Sequence, residues 1–174
     1  TMIFPFYWML KTSFLTDSQA LEMPPKLWFS FPLYFGNYKE VFELAATGRA
    51  ICNSLFIAVV STAGVLFTSS LAAFAFAKLR FPGEKKLFGL IFATMLIPSQ
   101  VTLIPLYVVF SKIGWVDTHL PLIVPQIMVN AYGVFLIRQF MVSVPDSYIE
   151  AAKLDGASEW RVILQIMMPM SKPA

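Results

Sequence analysis

Long apolar stretches separated by short charged loops dominate this chain. Residues 51–77, 87–111 and 120–137 contain no Asp, Glu, Lys or Arg. An α-helix rises about 1.5 Å per residue, so the first two stretches are longer than a hydrocarbon core about 30 Å thick, and the third lies within the range of about 17–25 residues that a transmembrane helix needs. The pattern therefore predicts three complete transmembrane helices.

Prolines and the ends of the sequence modify this prediction. Pro98 and Pro105 are expected to kink the second helix, and a simple kink is favoured over a broken helix that lines a cavity at residues 98–100. Residues 1–13 and the residues from 162 onward look like pieces of two further helices. We therefore expect an all-α, polytopic helical membrane protein, with about three complete and two partial spans in one domain.

The composition agrees with a membrane protein. Hydrophobic residues make up 57% of the chain, charged residues 13%, and the mean hydropathy is +0.69. An average soluble domain is about a quarter charged, so a soluble fold of this composition would expose more apolar surface than water tolerates. A single cysteine, Cys52, cannot form an internal disulfide. The net charge of +3, without a basic run, argues against nucleic acid as a partner.

Basic residues predict which segments face the cytoplasm. Loop 78–86 is rich in Lys and Arg, and segment 138–161 carries further basic residues. Because Lys and Arg collect on the cytoplasmic side of membrane proteins, residues 78–86 and 138–161 are predicted to be cytoplasmic. The segments 21–48 and 115–119 then lie on the outer side.

Residues 145–160 form a short polar interruption between two apolar stretches. Pro145 is expected to end the preceding helix. Ser147 and Glu150 have the spacing of a capping box, in which both side chains accept hydrogen bonds from free backbone N–H groups. The sequence thus predicts that a new helix begins at this point.

The same segment contains a stop signal and small residues. Asp155 and Gly156 are a turn pair, and glycine readily adopts the left-handed conformation that often follows a helix. Ala151 and Ala152 leave room for another protein to pack closely. We expect a helix of about two turns, a tight turn, and a further helix that enters the membrane near Trp160.

The segment EAAKLDGASEWRVILQIMMPMSKPA resembles the EAA loop of ATP-binding-cassette (ABC) importer permeases. That loop combines Glu-Ala-Ala with a following Gly and, further along, Ile and Pro. The matching positions here are Glu150, Ala151, Ala152, Gly156, Ile166 and Pro169. Most of the remaining chain resembles the carbohydrate-uptake branch, in particular its maltose-type second permease subunits. The chain is shorter than such permeases and would be a fragment of one.

The resemblance implies a fold and a mechanism. The fold is the transmembrane domain of a type I ABC importer, and residues 145–160 are its coupling segment. In this family the coupling helix sits in a groove of a cytosolic ATPase subunit, and closure of the ATPase dimer moves the helix and switches the open side of the pathway. The implied ATPase-coupling interface consists of Glu150, Ala151, Ala152, Asp155, Gly156 and Ala157.

The resemblance also implies partners and a location. The partners are two ATP-binding cassette subunits, a second permease subunit and an extracytoplasmic solute-binding protein, in a bacterial or archaeal inner membrane. ATP and Mg would be bound by the ATPase subunits. The chain itself has no G-x-x-x-x-G-K-[ST] motif, no catalytic set and no Cys/His cluster with metal-ligand spacing. We therefore expect neither an enzyme nor a cofactor of its own.

Gln126 and Asn130 are candidates for the substrate pathway. They lie four residues apart in a predicted membrane helix, and hence on one face. Polar residues inside a membrane often mark a pathway, although hydrogen bonds between helices explain Asn and Gln equally well. Both interpretations remain open, and the identity of the solute is not encoded in a readable motif.

A secondary transporter or channel that works without ATP is the alternative function. Such proteins commonly bind ions or protons through charged residues inside the membrane. The three apolar stretches contain none. The sequence therefore favours a permease that is driven by a separate ATPase.

Overall fold

The computed structural model of the chain describes residues 2–44, 46–128 and 130–171, and this part contains helices and loops but no β-strand. The helices are α1 Phe4–Thr12, α2 Asp17–Ala20, α3 Gly36–Leu44, α4 Thr47–Lys78, α5 Glu84–Thr94, α6 Ser99–Lys112, α7 Leu120–Met128, α8 Ala131–Ser143, α9 Ser147–Leu154, α10 Glu159–Val162 and α11 Met168–Met170, with a π-helical turn at Ile163–Met167. The all-α prediction is confirmed.

Contacts divide the chain into two compact units, Thr1–Leu55 and Phe56–Ala174. In the first unit Lys11 is almost completely buried. Its ammonium group donates a hydrogen bond to the backbone carbonyl of Lys26 and lies 4.2 Å from the ring centroid of Trp8. The carbonyl and the negative face of the ring replace water around the buried charge. These contacts hold the loop that follows α2 against α1.

Helix α4 is the longest membrane-crossing element in the described part of the chain. It has 32 residues and a mean hydropathy of 2.0 over its most apolar window. Small polar side chains on its buried face, including Ser61 and Ser69, let neighbouring helices approach closely. The first predicted transmembrane helix is therefore confirmed.

The second predicted span is broken rather than simply kinked. Helices α5 and α6 meet at an angle of 94°, and Met95 to Pro98 separate them. Pro98 lacks an N–H group, and its ring disfavours the helical conformation of Ile97. Pro105, by contrast, lies inside α6 without ending that helix. The expected simple kink at Pro98 is wrong because the chain leaves helical geometry there.

The third predicted span corresponds to α7 and α8. Residues Leu120–Ser143 are long and apolar enough to cross a membrane, with a mean hydropathy of 1.8. The helical region continues to Ser143, beyond the predicted end at residue 137, and therefore includes Arg138. By length and composition, two of the described helices can each cross a membrane, or three spans exist if α5 and α6 form one.

The main core of the second unit lies where α4, α8, α9 and the last helices meet. Its buried members are Ala73, Phe74, Ile137, Met141, Val144, Ile149, Val162, Ile163 and Met167. These residues come from both long helices and from the short helix α9. The short helix is thus part of the core and not a free loop.

Candidate functional site

The polar segment 145–160 folds as a short helix that ends in a sharp turn. Helix α9 has eight residues, about two turns, as the sequence predicts. After it, Gly156 has a φ of +78°, in the left-handed region. The N–H of Gly156 bonds to the carbonyl of Lys153 at 3.0 Å, and the N–H of Ala157 bonds to that of Ala152 at 2.9 Å. These two bonds define a Schellman motif, which fixes the direction in which the chain leaves α9.

The beginning of α9 differs from the prediction. The residue before the helix is Asp146, and its side chain caps no backbone N–H group. Ser147 is already helical, so it cannot act as the N-cap partner of Glu150. The predicted capping box is therefore wrong. The carboxylate of Glu150 remains exposed and forms no hydrogen bond or ion pair within the described residues.

Asp146 instead connects the start of α9 to the end of α4. The Nζ atom of Lys78 lies 2.6 Å from Oδ1 of Asp146 and also donates to the carbonyl oxygen of Val144 at 2.6 Å. The Lys78 side chain is 7% exposed, whereas that of Asp146 is 74% exposed. The hydrogen bond from Lys78 and its positive charge lower the pKa of Asp146. A buried ammonium group thus receives two oxygen partners from the segment that leads into α9.

One face of α9 packs into the core. Ile149 is buried, and Ala152 and Ala157 pack against the same cluster. The small size of these two alanines lets the Schellman turn lie close to the long helices. The inner face therefore holds α9 in place against α4 and α8.

The opposite face of α9 is exposed and partly apolar. Leu154 is 88% exposed and Tyr148 is 52% exposed, while Glu150 and Ala151 are exposed beside them. Tyr148 directly precedes the buried Ile149 and is turned about 100° from it around the helix axis. Leu154 was missed, although its position five residues after Ile149 turns it about 140° away from the inner face.

One ion pair joins α9 to the following helix, and a cap begins that helix. Lys153 and Glu159 form an ion pair of 2.6 Å across the turn. Ser158 is the N-cap of α10, and its Oγ accepts a hydrogen bond from the N–H of Arg161 at 3.3 Å. Together with the Schellman motif they set the angle between α9 and α10. The predicted new helix near Trp160 is confirmed.

A π-helical turn follows α10. It covers Ile163–Met167 and precedes Pro169. A proline inside a helix removes one hydrogen bond and its ring crowds the carbonyl four residues earlier, here that of Gln165. The wider π-helical turn relieves this crowding. Ile166 and Pro169, which the motif pairs with Gly156, therefore lie in an irregular helix directly after the turn.

The candidate pathway residues do not share a regular helix face. Gln126 is exposed within α7, whereas Asn130 has extended backbone angles (φ −114°, ψ 92°) and is the N-cap of α8. The Oδ1 atom of Asn130 accepts a hydrogen bond of 2.7 Å from the N–H of Gly133. The prediction of a shared helix face is wrong because the chain is not helical at Asn130.

Close packing surrounds this helix start. A Cβ atom at Gly133 would lie 2.7 Å from Oγ of Ser69 and 3.1 Å from Oδ1 of Asn130. The hydroxyl groups of Ser61 and Ser69 are buried and have no hydrogen-bond partner among the described residues. Helices α4 and α8 thus approach each other through small residues, as packed membrane helices commonly do.

Metal-ligand chemistry receives no support from the described residues. Within 2–44, 46–128 and 130–171, no group of three or more His, Cys, Asp or Glu side chains is arranged to hold a metal ion. Segment 145–160 is therefore characterised by its packing, its hydrogen bonds and its exposed surface.

Comparison with protein families identifies a relationship over most of the chain. The family model described as "Binding-protein-dependent transport system inner membrane component" matches residues 64–174. This range includes the core of the second unit and the whole segment 145–160.

Individual proteins are similar over almost the full chain. The sn-glycerol-3-phosphate transport system permease protein of Brucella suis biovar 1 is 32% identical, over 97% of this chain and 62% of the relative. The osmoprotective compounds uptake permease protein of Synechocystis sp. is 37% identical, over 81% of this chain and 48% of the relative. The chain thus spans about half to three fifths of the length of these relatives.

A solved structure has the same fold. It is a chain of a bacterial ABC transporter involved in the import of the acidic polysaccharide alginate, with a TM-score of 0.83 and 21% sequence identity. The match covers 99% of this chain and 60% of that chain. The fold described above is therefore shared with a chain of that transporter.

Proposed function

The chain belongs to the family of binding-protein-dependent transport system inner membrane components, and we propose that it is part of the permease subunit of an ATP-driven importer. In this proposal α9 is the coupling helix that docks in a groove of a separate ATPase subunit. ATP and Mg are bound by that subunit, and this chain supplies the membrane pathway and the coupling helix.

The observation that carries the proposal is the two-sided character of α9. Its inner face, with Ile149 and Ala152, is part of the core, and its outer face presents Glu150, Ala151 and Leu154. A partner that binds the outer face can therefore apply force directly to the long helices. Leu154 offers apolar contact area, and Glu150 offers a carboxylate for a charge-assisted hydrogen bond with a basic residue of the groove.

Transmission of movement follows from the contacts at both ends of α9. The Lys78–Asp146 pair ties its start to α4, and the Lys153–Glu159 pair and the turn at Gly156 tie its end to α10. When the ATPase dimer closes, α9 moves as a rigid element and carries these helices with it. Packed helices change between discrete arrangements rather than deforming continuously, so the movement opens the pathway on one side and closes it on the other.

The proposed orientation places residues 78–86 and 138–161 in the cytoplasm of a bacterial or archaeal cell. Lys78, Arg80, Lys85 and Lys86 in the first segment support this orientation. The outer segments 21–48 and 115–119 then face an extracytoplasmic solute-binding protein. A second permease subunit completes the pathway, and two ATPase subunits complete the transporter.

A sugar or another polyhydroxylated solute is the proposed cargo. The support is the carbohydrate-uptake pattern of the sequence, together with relatives whose names refer to sn-glycerol 3-phosphate and osmoprotective compounds. Gln126 is exposed, and we propose that it contributes to the pathway. Asn130 contributes by shaping the start of α8.

The test is a pull-down of the full-length permease from its native membrane, with the co-purifying chains identified. We expect a P-loop ATPase in the complex. Glu150→Ala and Leu154→Ser should each reduce its recovery severalfold while membrane insertion and thermal stability stay unchanged. Both side chains are exposed, and substitutions at such positions usually change stability by only about 0.5 kcal/mol.

Glu40→Ala is a matched control because Glu40 is an exposed glutamate on α3, far from α9 in the sequence. It should leave recovery of the ATPase unchanged. A permease that purifies alone and transports without ATP would overturn the proposal and favour a secondary transporter. Normal recovery of the ATPase with both α9 variants would remove the docking role of the outer face.

A further inference from the structure

A basic cleft lies where the end of α4, the start of α5 and the end of α8 meet. Its volume is about 470 Å³. Four basic side chains line it, those of Lys78, Arg80, Lys85 and Arg138, against two acidic side chains, those of Glu84 and Asp146. We propose that this cleft binds the phosphate headgroup of an anionic membrane phospholipid.

Only some of the charged side chains in the cleft form ion pairs. Lys78 and Asp146 neutralise each other through their 2.6 Å ion pair. Arg80, Lys85 and Glu84 take part in no ion pair within the described residues, so the remaining cleft carries an excess of positive charge. Such an excess favours an anion, although the carboxylate of Glu84 repels it.

Arg138 is held in a fixed orientation at the wall of the cleft. Its Nε atom donates a hydrogen bond of 3.0 Å to the backbone carbonyl of Phe76, and its guanidinium group lies 4.6 Å from the ring centroid of Phe88. These contacts fix the plane of the side chain. The two Nη groups donate to no other described residue, and a planar fork of this kind matches two oxygens of a phosphate.

The depth of the cleft favours a lipid over a soluble anion. It begins at Phe76 and Ala77, the last residues of the charge-free stretch of α4, and continues into the basic loop. The boundary between an apolar span and its first charges lies at the level of the lipid headgroups. Basic pockets between transmembrane helices at this level bind anionic headgroups.

Apolar side chains continue the cleft. Leu79 and Val142 line it and are 41% and 52% exposed. Phe76 and Phe81, whose ring centroids are 5.8 Å apart, form an aromatic wall. A headgroup bound to the basic residues would place the first carbons of its acyl chains beside these apolar surfaces. A soluble phosphate gains nothing from them.

The test uses the full-length permease purified with its partner subunits and exchanged into vesicles that contain phosphatidylglycerol and phosphatidylcholine. The phospholipids that remain bound after detergent washing are quantified by mass spectrometry. We expect selective retention of phosphatidylglycerol. Arg80→Gln and Lys85→Gln should each reduce it about fivefold, because each loses a direct charge-assisted hydrogen bond to the phosphate.

Lys86→Gln is the matched control, since it removes the same charge from the same loop at a position that does not line the cleft. It should reduce retention less than twofold, and Arg80→Lys should preserve most of it. Equal losses for Lys85→Gln and Lys86→Gln would overturn the proposal in favour of general surface attraction. Equal retention of the two phospholipids would also overturn it.

A further arm separates a lipid from a free anion. Inorganic phosphate is added during the washing step, and displacement of phosphatidylglycerol at low concentrations of phosphate would overturn the lipid assignment. Recovery of the ATPase subunit is measured on the same samples. A variant that loses the lipid and keeps the ATPase separates this cleft from the proposed docking function of α9.

Discussion

The ammonium group of Lys78 lies 2.6 Å from Oδ1 of Asp146, across 68 positions of the sequence. This ion pair joins the last residue of α4 to the residue that precedes α9. Because the Lys78 side chain is buried and that of Asp146 is exposed, the pair lies at the edge of the core. The short helix that we propose to dock on the ATPase is thereby attached to the longest described membrane helix.

The first prediction concerns the pH dependence of this pair. The hydrogen bond from Lys78 and its charge lower the pKa of Asp146 from its ordinary value of 3.8. A carboxyl group whose pKa is lower in the folded state stabilises that state above its unfolded pKa, and this contribution is lost as the pH falls through the folded pKa. We expect Asp146→Asn to lower the Tm at neutral pH, with a difference that disappears in strong acid.

The measurement is thermal unfolding of the detergent-solubilised protein as a function of pH. Asp117→Asn is the control, because Asp117 forms no ion pair within the described residues and its φ of 62° is tolerated by Asn. The Tm of Asp117→Asn should change with pH in the same way as the Tm of the wild type. A pH profile of Asp146→Asn that also parallels the wild type would show that the pair does not contribute to stability.

The second prediction concerns the turn at Gly156. An added Cβ atom would meet nothing within 4 Å, so any cost of Gly156→Ala arises from the φ of +78° alone. For an L-residue in the left-handed region this cost is about 1–2 kcal/mol. We expect the free energy of unfolding to fall by that amount, and recovery of the ATPase to fall because α9 and α10 lose their fixed angle.

Gly156→Asn provides the comparison, since Asn adopts the left-handed conformation more easily than Ala. It should recover much of the lost stability. If the alanine and asparagine variants were equally unstable, the loss would have to come from a contact of the side chain and not from backbone strain.

The third prediction concerns the packing of α4 against α8. A Cβ atom at Gly133 would lie 2.7 Å from Oγ of Ser69, and Ser69 is 1% exposed. Overpacking of this kind typically costs about 1–3 kcal/mol. We expect Gly133→Ala to lower the free energy of unfolding by an amount in this range.

Gly89→Ala is the control, because Gly89 lies within α5 and an added Cβ would have nothing within 4 Å. Alanine is the better helix former, so this variant should be neutral or more stable by about 0.5–1 kcal/mol. Unfolding in denaturant measures both variants. If Gly133→Ala and Gly89→Ala had the same free energy of unfolding, the contact between α4 and α8 would accommodate the added Cβ atom without loss of stability.

The fourth prediction concerns Asn130, which caps α8 through Gly133. Asn130→Leu removes the cap and should lower stability by about 1 kcal/mol, whereas Asn130→Ser keeps a capping oxygen and should cost little. Thermal unfolding and transport are measured for both. If Asn130 only shapes the helix, transport follows stability. Impaired transport by a stable Asn130→Ser variant would instead indicate that the amide contacts the solute.

Local features of the fold were readable from the sequence. The span of α4, the two turns of α9 and the left-handed turn at Gly156 were all predicted. Each depends on hydrophobicity or backbone preference within a few neighbouring residues, so local sequence is sufficient to determine it. The EAA resemblance identified the family for the same reason, since its residues all lie within the short stretch 150–169.

Contacts between distant segments were decided only by the tertiary structure. Ser147 and Glu150 have the spacing of a capping box, but Asp146 occupies the position before the helix and its carboxylate pairs with Lys78. The start of α8 at Asn130 likewise lies beside a close contact with α4, where a Cβ atom at Gly133 would lie 2.7 Å from Oγ of Ser69. The sequence alone determined the span of α4, the length of α9 and the turn at Gly156, because those choices are local. Which face of each helix is buried, and which charge meets which, followed from burial and pairing across the whole fold.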